Sequence, residues 1–349
     1  MIRTLIIVLL IGITQVAVEA QILGTPKIFD YIHTPASARA NALSGSVIGI
    51  QDDDILQAFA NPALLNTKQD RQVGLSHSFI FAGIQNGAVN FGMHLDSLDI
   101  SVHGGVQYID YGNFDLTDQF GNVNGEFGAS EIALVVGASK QLADRITIGI
   151  NTRLLTASYE SYGAVGLGVD AGVLYSNPDN TFAIGAVLKN FGVTLSNFAG
   201  EKEKPRHDVQ IGITKRLEHL PFRINVTLHQ LQQWNLTYDD PSDVQTDFLG
   251  NTEEDSQLSI TLNNIMSHVL LGGEFMFGSN GQFRMRAGYN HLRNRQLSVG
   301  TFRNLTGFSL GVGFNIKRFK LDYGVAHYHS QGASNQISIR FNPFTYHKV

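Results

Sequence analysis

The sequence predicts an all-β protein, a transmembrane antiparallel β-barrel of about fourteen strands. Apolar and polar residues alternate over many short stretches, and long and short connections alternate along the chain. The composition agrees, because only 16% of the 349 residues are charged while 36 are glycine and 22 are phenylalanine. Soluble domains carry about 25% charged residues, so this chain has either an unusually large core or an apolar outer surface.

The alternation has a period of two, which places successive side chains on opposite faces of a sheet. It is clearest in 222–229, 283–290, 319–325 and 336–341, where one face is apolar and the other polar or charged. The sequence of a soluble β-sandwich alternates in the same way, so the number and length of the strands are needed to distinguish a barrel from a sandwich. Many of the predicted strands reach the 9–11 residues that a tilted strand needs to cross a bilayer. The fourteen predicted strands are 73–82, 86–94, 98–111, 130–140, 144–159, 163–176, 181–191, 206–218, 221–233, 264–277, 281–290, 304–316, 318–328 and 332–342.

The connection lengths are a second, partly independent signal. Every connection after an even-numbered strand is short, whereas the long ones, 112–129, 192–205, 234–263 and 291–303, all follow odd-numbered strands. Outer-membrane barrels separate short periplasmic turns from long extracellular loops in this way. We therefore expect periplasmic termini and extracellular long loops.

An uncharged stretch of 24 residues lies between Arg71 and Asp96 and is long enough for a transmembrane helix. A helix there would place His77 and Asn86 in hydrocarbon, and Gly83–Gly87 resembles a turn between two β-type segments. The stretch therefore predicts the first two strands.

The chain begins like an exported protein. Arg3, an apolar run over 5–13 and Val18-Glu19-Ala20 match the three parts of a signal peptide. We expect residues 1–20 to be removed, since the apolar run is too short to be a membrane anchor. The predicted barrel spans 73–342, and 343–349 form a C-terminal tail.

Several function classes are disfavoured. The chain has no cysteine, which excludes disulfides and cysteine-bound zinc, and its net charge of −5 gives no support to a nucleic-acid partner. No Gly-x-Ser-x-Gly or His-Glu-x-x-His motif occurs, and the glycine-rich stretch 163–172 lacks the strand-then-helix context of a dinucleotide site. We predict no enzymatic activity, no cofactor and no metal, although a lipase with an unmarked Ser and His pair stays an alternative.

The loop 234–263 is the most polarised segment, with seven acidic residues and no Lys or Arg. It is a candidate partner-binding loop. Two alternatives stay open, a calcium-dependent contact with protein or lipopolysaccharide and a plain solvated loop, and the same two apply to Asp52-Asp53-Asp54. The seven acidic residues are Asp239, Asp240, Asp243, Asp247, Glu253, Glu254 and Asp255.

The alternation also places five cations on the inner faces of strands. We expect them to pair with Asp170 and Asp322 across the lumen, although they could instead attract anions. The five are Arg153, Arg223, Arg284, Arg286 and Lys320.

The segment before the first strand carries Thr34-Pro35-Ala36-Ser37-Ala38-Arg39, then Ala42-Leu43-Ser44-Gly45, and later Asn61-Pro62-Ala63-Leu64-Leu65. This order of motifs resembles the outer-membrane family that contains FadL and the type IX secretion proteins PorV and PorQ. The resemblance implies a FadL-like barrel of fourteen strands in which residues 21–72 form a periplasmic or luminal plug. The residues that it places in this structural plug are Pro35, Ser37, Ala38, Arg39, Asn61, Pro62 and Ala63.

Narrower features resemble the PorV/PorQ branch of this family, namely the stretch from Ser267 to Phe275, then Gly288-Tyr289-Asn290, and Gly332 to Asn335 before the last strand. Two features depart from that branch. Ser44 stands where a second glycine is usual, and the chain continues past Phe341, so its terminal aromatic could be Phe341, Phe344 or Tyr346.

The branch implies a non-enzymatic outer-membrane component of type IX secretion in a Bacteroidetes-like bacterium. Its implied role lies in the attachment complex at the cell surface, where it would anchor a PorZ-like protein through the long loops after strands 3, 9 and 11. PorU, PorV, outer-membrane lipid and lipopolysaccharide are further implied partners.

A second hypothesis is a FadL-like channel for hydrophobic small molecules. It predicts an apolar pocket beside the plug and a lateral opening at a kinked strand, and the charged inner faces argue mildly against it.

Overall fold

The structure is a computed structural model that describes residues 28–196, 204–236, 257–278, 281–297, 305–329 and 332–344. Three predictions therefore lie outside the described residues. They are the signal peptide at 1–20, the acidic residues of the candidate binding loop from Asp239 to Asp255, and the end of the C-terminal tail from residue 345.

The strands close into a single antiparallel barrel in which each strand pairs with its neighbours in sequence and the last pairs with the first. The predicted number, fourteen, is confirmed. The strands are β1 Val73–Phe79, β2 Gln85–Leu95, β3 Ile100–Thr117, β4 Val123–Ala143, β5 Ile146–Tyr159, β6 Tyr162–Ser176, β7 Phe182–Thr194, β8 Asp208–Arg216, β9 Phe222–Leu228, β10 Val269–Phe277, β11 Phe283–Asn290, β12 Phe308–Ile316, β13 Phe319–His329 and β14 Gly332–Phe341.

The two faces of the wall differ as the alternation predicts. Large apolar side chains on the outer face are exposed, among them Val89, Phe91, Leu134, Val136 and Ile150. The inner face carries polar and charged residues that are buried inside the barrel. An apolar exterior around a polar interior is the arrangement of a barrel whose wall contacts lipid.

The barrel has two unlike ends. The end that holds the connections after even-numbered strands, which we call the turn end, has links of at most five residues, such as 144–145 and 317–318. The opposite loop end holds the longest connections, which lie between β7 and β8, β9 and β10, and β11 and β12. The predicted segregation of short from long connections is confirmed, and residues 73 and 341 both lie at the turn end.

The predicted loop 112–129 is mostly strand. The β2–β3 ladder ends at Gln85 opposite Asp110, but β3 and β4 continue past it as a hairpin that reaches Thr117 and Val123. Glycines at four positions gave this stretch the composition of a loop. Cross-strand pairing of aromatic residues outweighs that composition, since Phe114 stacks on Phe127 with ring centroids 5.5 Å apart.

The predicted start of the strand 264–277 was wrong. A helix, Gln257–Ser267, occupies that region, and β10 begins only at Val269. Isoleucine and threonine favoured a strand, but leucines at 258 and 262 repeat at helical spacing. Another helix, His291–Leu297, begins the predicted loop 291–303. None of the helices in the described residues has the length and apolar composition to cross a bilayer.

Residues 28–72, which we call the luminal segment, lie inside the barrel. They contact the inner faces of strands all around the wall, from β1 and β2 through β4–β6 to β11–β14. The segment has one α-helix, α1 Ala38–Ala42, and 3-10 turns at Asp30–His33, Ile55–Phe59, Pro62–Leu64 and Thr67–Gln69. Its apolar side chains, including Ile48, Ile55 and Leu64, are fully buried. The core of the protein is therefore the contact between this segment and the wall.

Glycines on the inner face allow the segment to approach the wall. A Cβ atom at Gly172 would lie 2.0 Å from Oδ1 of Asn61, and one at Gly149 would lie 2.4 Å from the carbonyl carbon of Pro62. Gly185 and Gly324 meet backbone oxygens of the segment in the same way. The missing side chains are what let two backbones pack at this distance.

Replacing Gly172 by alanine tests this packing. The added methyl must displace Asn61, so we expect Gly172→Ala to lower the free energy of unfolding by about 1–3 kcal/mol. Urea unfolding of the purified barrel in detergent measures it, and faster trypsin cleavage after the buried Arg39 would report a loosened segment.

Gly104→Ala is the matched control, because a Cβ atom at this outward-facing glycine has no neighbour within 4 Å. We expect it to change stability by no more than about 0.5 kcal/mol. Equal effects of the two substitutions would contradict close packing at Gly172.

Candidate functional site

The turns of the luminal segment are capped by their own side chains. Ser37 Oγ accepts from the Ala40 amide at 3.1 Å, and Asn61 Oδ1 accepts from the Ala63 amide at 3.0 Å. Asp54 and Asn66 cap the 3-10 turns that follow them. Ser, Asp and Asn are the residues that favour this position, and Pro62 has the fixed φ that suits the first residue of a turn. Turns this short are not stable alone, so contacts with the wall must hold them.

Arg39 on α1 is the central ion-pairing residue of the segment. Its guanidinium is fully buried, and Nη1 lies 2.7 Å from Asp52 Oδ2 and 3.4 Å from Asp54 Oδ2. Nη2 reaches the wall, 3.2 Å from Glu274 Oε2 on β10. The planar group suits this task because it donates in several fixed directions at once. Arg39 therefore joins the segment to itself and to the barrel.

Cations of the wall extend the network at the turn end. Arg223 lies 3.4 Å from Asp52 and 3.3 Å from Glu274. Arg286 bridges two wall carboxylates, with Glu274 at 2.8 Å and Asp322 at 2.6 Å.

Three further wall cations complete it. Arg340 pairs with Asp322 at 2.6 Å and with Asp54 at 3.3 Å, while Lys320 contacts Asp53 and Arg284 lies 3.7 Å from Glu274. The predicted inward orientation of the wall cations and the pairing of Arg286 with Asp322 are confirmed. The predicted pairing with Asp170 or Asp322 was wrong for Arg223, Arg284 and Lys320, which lie beside Glu274 or the acidic triplet of the luminal segment.

Asp52, Asp53 and Asp54 lie among cations of the luminal segment and the wall. Each carboxylate lies beside one or more of the cations described above. Burial alone would raise the pKa of Asp52, but the guanidiniums of Arg39 and Arg223 hold it well below its usual value. The acidic triplet therefore supplies the counter-charge for the wall.

A second buried cluster lies nearer the loop end. Arg153 donates from Nε to Asp170 Oδ2 at 2.8 Å, from Nη1 to Gln107 Oε1 at 2.8 Å, and from Nη2 to the carbonyl of Phe59 at 2.8 Å. Asn151 donates to the same Asp170 oxygen and to the Ala58 carbonyl. The predicted pairing of Arg153 with Asp170 is confirmed, and this cluster too joins the wall to the luminal segment.

The remaining predicted plug residues also lie in the lumen. The Ala38 amide donates to Ser338 Oγ at 2.8 Å, and the Pro35 carbonyl accepts from Gln336 Nε2 at 3.1 Å. Ser44, where related sequences usually have glycine, has a positive φ of 72°, a conformation that glycine adopts more easily.

A cavity of about 460 Å³ lies between the luminal segment and the loop end. Its lining is mixed. Phe59, Ile80 and Phe81 are apolar, while the charged and titratable lining residues are His33, Lys189, Arg206, Asp208, His229 and Arg293. The lumen is filled by the ion-pair network at the turn end, whereas the cavity lies at the loop end. The two halves of the lumen therefore differ in what they can accept.

Histidines and acidic residues do not come together as a metal site. His103 bonds to Asn90 and Asn151, and His268 bonds to the carbonyls of His229 and Trp234. Within the residues that the structure describes, no group of three His, Asp or Glu residues could hold a metal ion.

Several important residues were not singled out from the sequence. Glu274 and Arg340 face inward with the correct period, and that was the available signal for them. Besides wall residues, their partners include Arg39 and Asp54 of the luminal segment, more than 200 residues away in the chain. No local sequence pattern indicates such pairs. Lys189 and Arg206 lie within the predicted strands 181–191 and 206–218, and nothing else in the sequence marked them.

A closed fourteen-stranded barrel with an apolar exterior, and with a chain segment bound inside it, defines an outer-membrane β-barrel protein of the FadL-like fold. Scans against protein-family models and curated proteins find no match to the chain.

Solved structures with the same fold are found. The toluene transporter TodX of Pseudomonas putida superposes with a TM-score of 0.53 and 12% identity, over 88% of this chain and 96% of that one. The monoaromatic hydrocarbon channel CymD gives 0.54 and 13%, over 92% and 100%. At these identities the similarity establishes the fold alone.

The role of Arg39 can be tested by removing its charge. Arg39→Met leaves Asp52, Asp54 and Glu274 buried with fewer partners, so we expect the free energy of unfolding to fall by about 3–5 kcal/mol. Denaturant unfolding in detergent measures it. Arg39→Lys keeps the charge but loses the planar fork, so its free energy of unfolding should lie between those of the wild type and Arg39→Met.

Arg71→Met is the control. Arg71 is 61% exposed in side chain and its Nε lies 3.7 Å from Asp70, so its loss should cost no more than about 1 kcal/mol. If Arg39→Met were as stable as Arg71→Met, the network would not hold the segment.

Proposed function

We propose that this barrel is a non-enzymatic anchor in the outer membrane, a component of the type IX secretion attachment complex that binds a PorZ-like surface protein at its loop end. The turn end then faces the periplasm and the loop end the cell exterior. The luminal segment acts as a fixed plug, so the protein presents a surface instead of conducting a solute.

The β3–β4 hairpin is the observation that carries this proposal. The β4–β5 ladder ends at Ala129 opposite Tyr159, so residues 113–128 pair only with each other. Phe114 and Val123 are exposed there, and Phe120 at the tip is 80% exposed. A two-stranded hairpin is at best marginally stable in water, and exposed aromatic groups beside it favour a protein contact.

The filled lumen supports an anchoring role. Each buried ion pair between segment and wall fixes the segment in one position, and breaking one would leave an uncompensated charge. Asp239 to Asp255, which follow β9 in the sequence and lie outside the described residues, stay candidates for part of the contact.

Serine at two hairpin positions tests the anchoring surface. Phe114→Ser with Phe120→Ser removes the apolar contact, so we expect surface-bound PorZ-like protein to fall at least about tenfold, with the barrel level unchanged. Purification from native outer membranes in mild detergent, followed by mass spectrometry, measures the partner that remains.

Asp115→Asn with Glu126→Gln is the matched control, because it alters two exposed residues of the same hairpin that face each other across the strands. This control variant should retain as much PorZ-like protein as the wild-type barrel does. If the serine variant and a strain lacking loop 234–263 both retained the partner fully, the anchoring proposal would fail.

A channel for hydrophobic small molecules is the second candidate. It is favoured by the shared fold with TodX and CymD, which are described as a toluene transporter and a hydrocarbon channel. It requires the luminal segment to move or a solute to pass beside it, and the charged residues around the cavity weigh against an apolar route.

A reversible lock separates the two candidates. The chain has no cysteine, and Cβ atoms at 43 and 272 would lie 3.2 Å apart, so Leu43→Cys with Gly272→Cys can join the segment to β10. We expect the oxidised lock to leave partner retention and hydrocarbon uptake by cells unchanged. Uptake that is lost on oxidation and restored by reduction would favour the channel.

A further inference from the structure

Lys189 on β7 is a buried cation without a bound counter-charge. Its residue is 6% exposed, and it lines the loop-end cavity. Within the described part of the chain, its Nζ has no hydrogen bond and no carboxylate within ion-pairing distance. Burying an ammonium in this way is costly unless something else binds it.

Two wall carboxylates lie near Lys189, and both are already engaged. Asp170 is paired with Arg153 at 2.6 Å. Asp208 is the cross-strand partner of Lys189, but its Oδ1 accepts from the Gln230 amide at 2.6 Å and its Oδ2 accepts from Gln210. Arg206, at the same cavity, is partly compensated by Asp30 at 3.4 Å. Among the described residues, the lining of the cavity therefore keeps a positive excess.

Neighbouring imidazoles agree with this electrostatic picture. Burial and the positive charges of Arg206 and Lys189 lower the pKa of His33 to about 3, so His33 is neutral at physiological pH. His229 is 7% exposed, and its Nε2 has no hydrogen-bond partner among the described residues. A polar ligand in the cavity would satisfy it.

We propose that the loop-end cavity binds a small organic carboxylate, whose oxygens accept hydrogen bonds from Lys189 and Arg206. One negative charge matches the lining, because Asp208 would repel a dianion. A volume of about 460 Å³ holds a short carboxylic acid or the side chain of a glutamate. The site does not depend on the proposed anchoring role.

The same carboxylate chemistry could come from a free acid or from an acidic residue of a docked protein. Calorimetric titration of the full-length barrel in detergent distinguishes them, with sodium acetate and a capped Gly-Glu-Gly peptide as probes and sodium chloride at equal ionic strength as the reference. Acetate binding assigns a free acid, and binding of the peptide alone assigns a protein residue.

In either case we expect Lys189→Met and Arg206→Gln each to weaken binding at least about tenfold, the loss of one charge-assisted hydrogen bond. Lys189→Met should be at least as resistant to thermal unfolding as the wild type without ligand, because it removes an unpaired buried charge. Unfolding therefore cannot account for lost binding.

Lys215→Met is the control, since Lys215 is exposed on the adjacent β8. Equal binding by wild type, Lys189→Met and Lys215→Met would overturn the proposal, and so would a response to acetate and peptide no larger than the response to chloride.

Discussion

Charge compensation inside the lumen is the constraint on which the rest of the structure depends. The inner wall carries more arginine and lysine than its own carboxylates, Glu274 and Asp322, can pair at the turn end. Asp52, Asp53 and Asp54 of the luminal segment supply the missing negative charge. The dependence is mutual, because turns as short as those of the segment need the wall to hold them. Wall and segment therefore form one folding unit, although the chain places them far apart.

The architecture could be predicted because it rests on local periodicity. A period of two, strand lengths near those of a bilayer crossing and the alternation of long with short connections are all visible in one sequence. The secondary structure was predicted wrongly where the local composition favours one structure and the packing of side chains favours another. Residues 112–129 looked like a loop because of their glycines, yet Phe114 and Phe127 pair across a hairpin. Residues 264–267 looked like a strand, yet they complete a helix that begins at Gln257.

The site was predictable only in part, and for a physical reason. Arg153 and Asp170 lie on adjacent strands, so the inward-facing pattern was enough to expect their pairing. Arg39 and Glu274 are separated by 235 positions, and only the closed barrel brings them together. The acidic triplet at 52–54 has the composition of a solvated loop, and nothing local indicates that it pairs with cations of the wall. Side chains that pair through tertiary structure leave no periodic signal.

The uneven distribution of charge along the lumen bears on what the barrel can do. At the turn end an apolar solute would have to cross a layer in which Arg39, Arg286 and Arg340 are buried with their carboxylates. Separating such pairs costs several kcal/mol each, and an apolar molecule cannot form hydrogen bonds or ion pairs with the separated charges. At the loop end the cavity is lined by Lys189, Arg206 and Arg293 as well as by apolar side chains. The fold shared with the solved structures fixes the wall and leaves the lumen free to diverge, so the interior of this barrel has to be judged from its own residues.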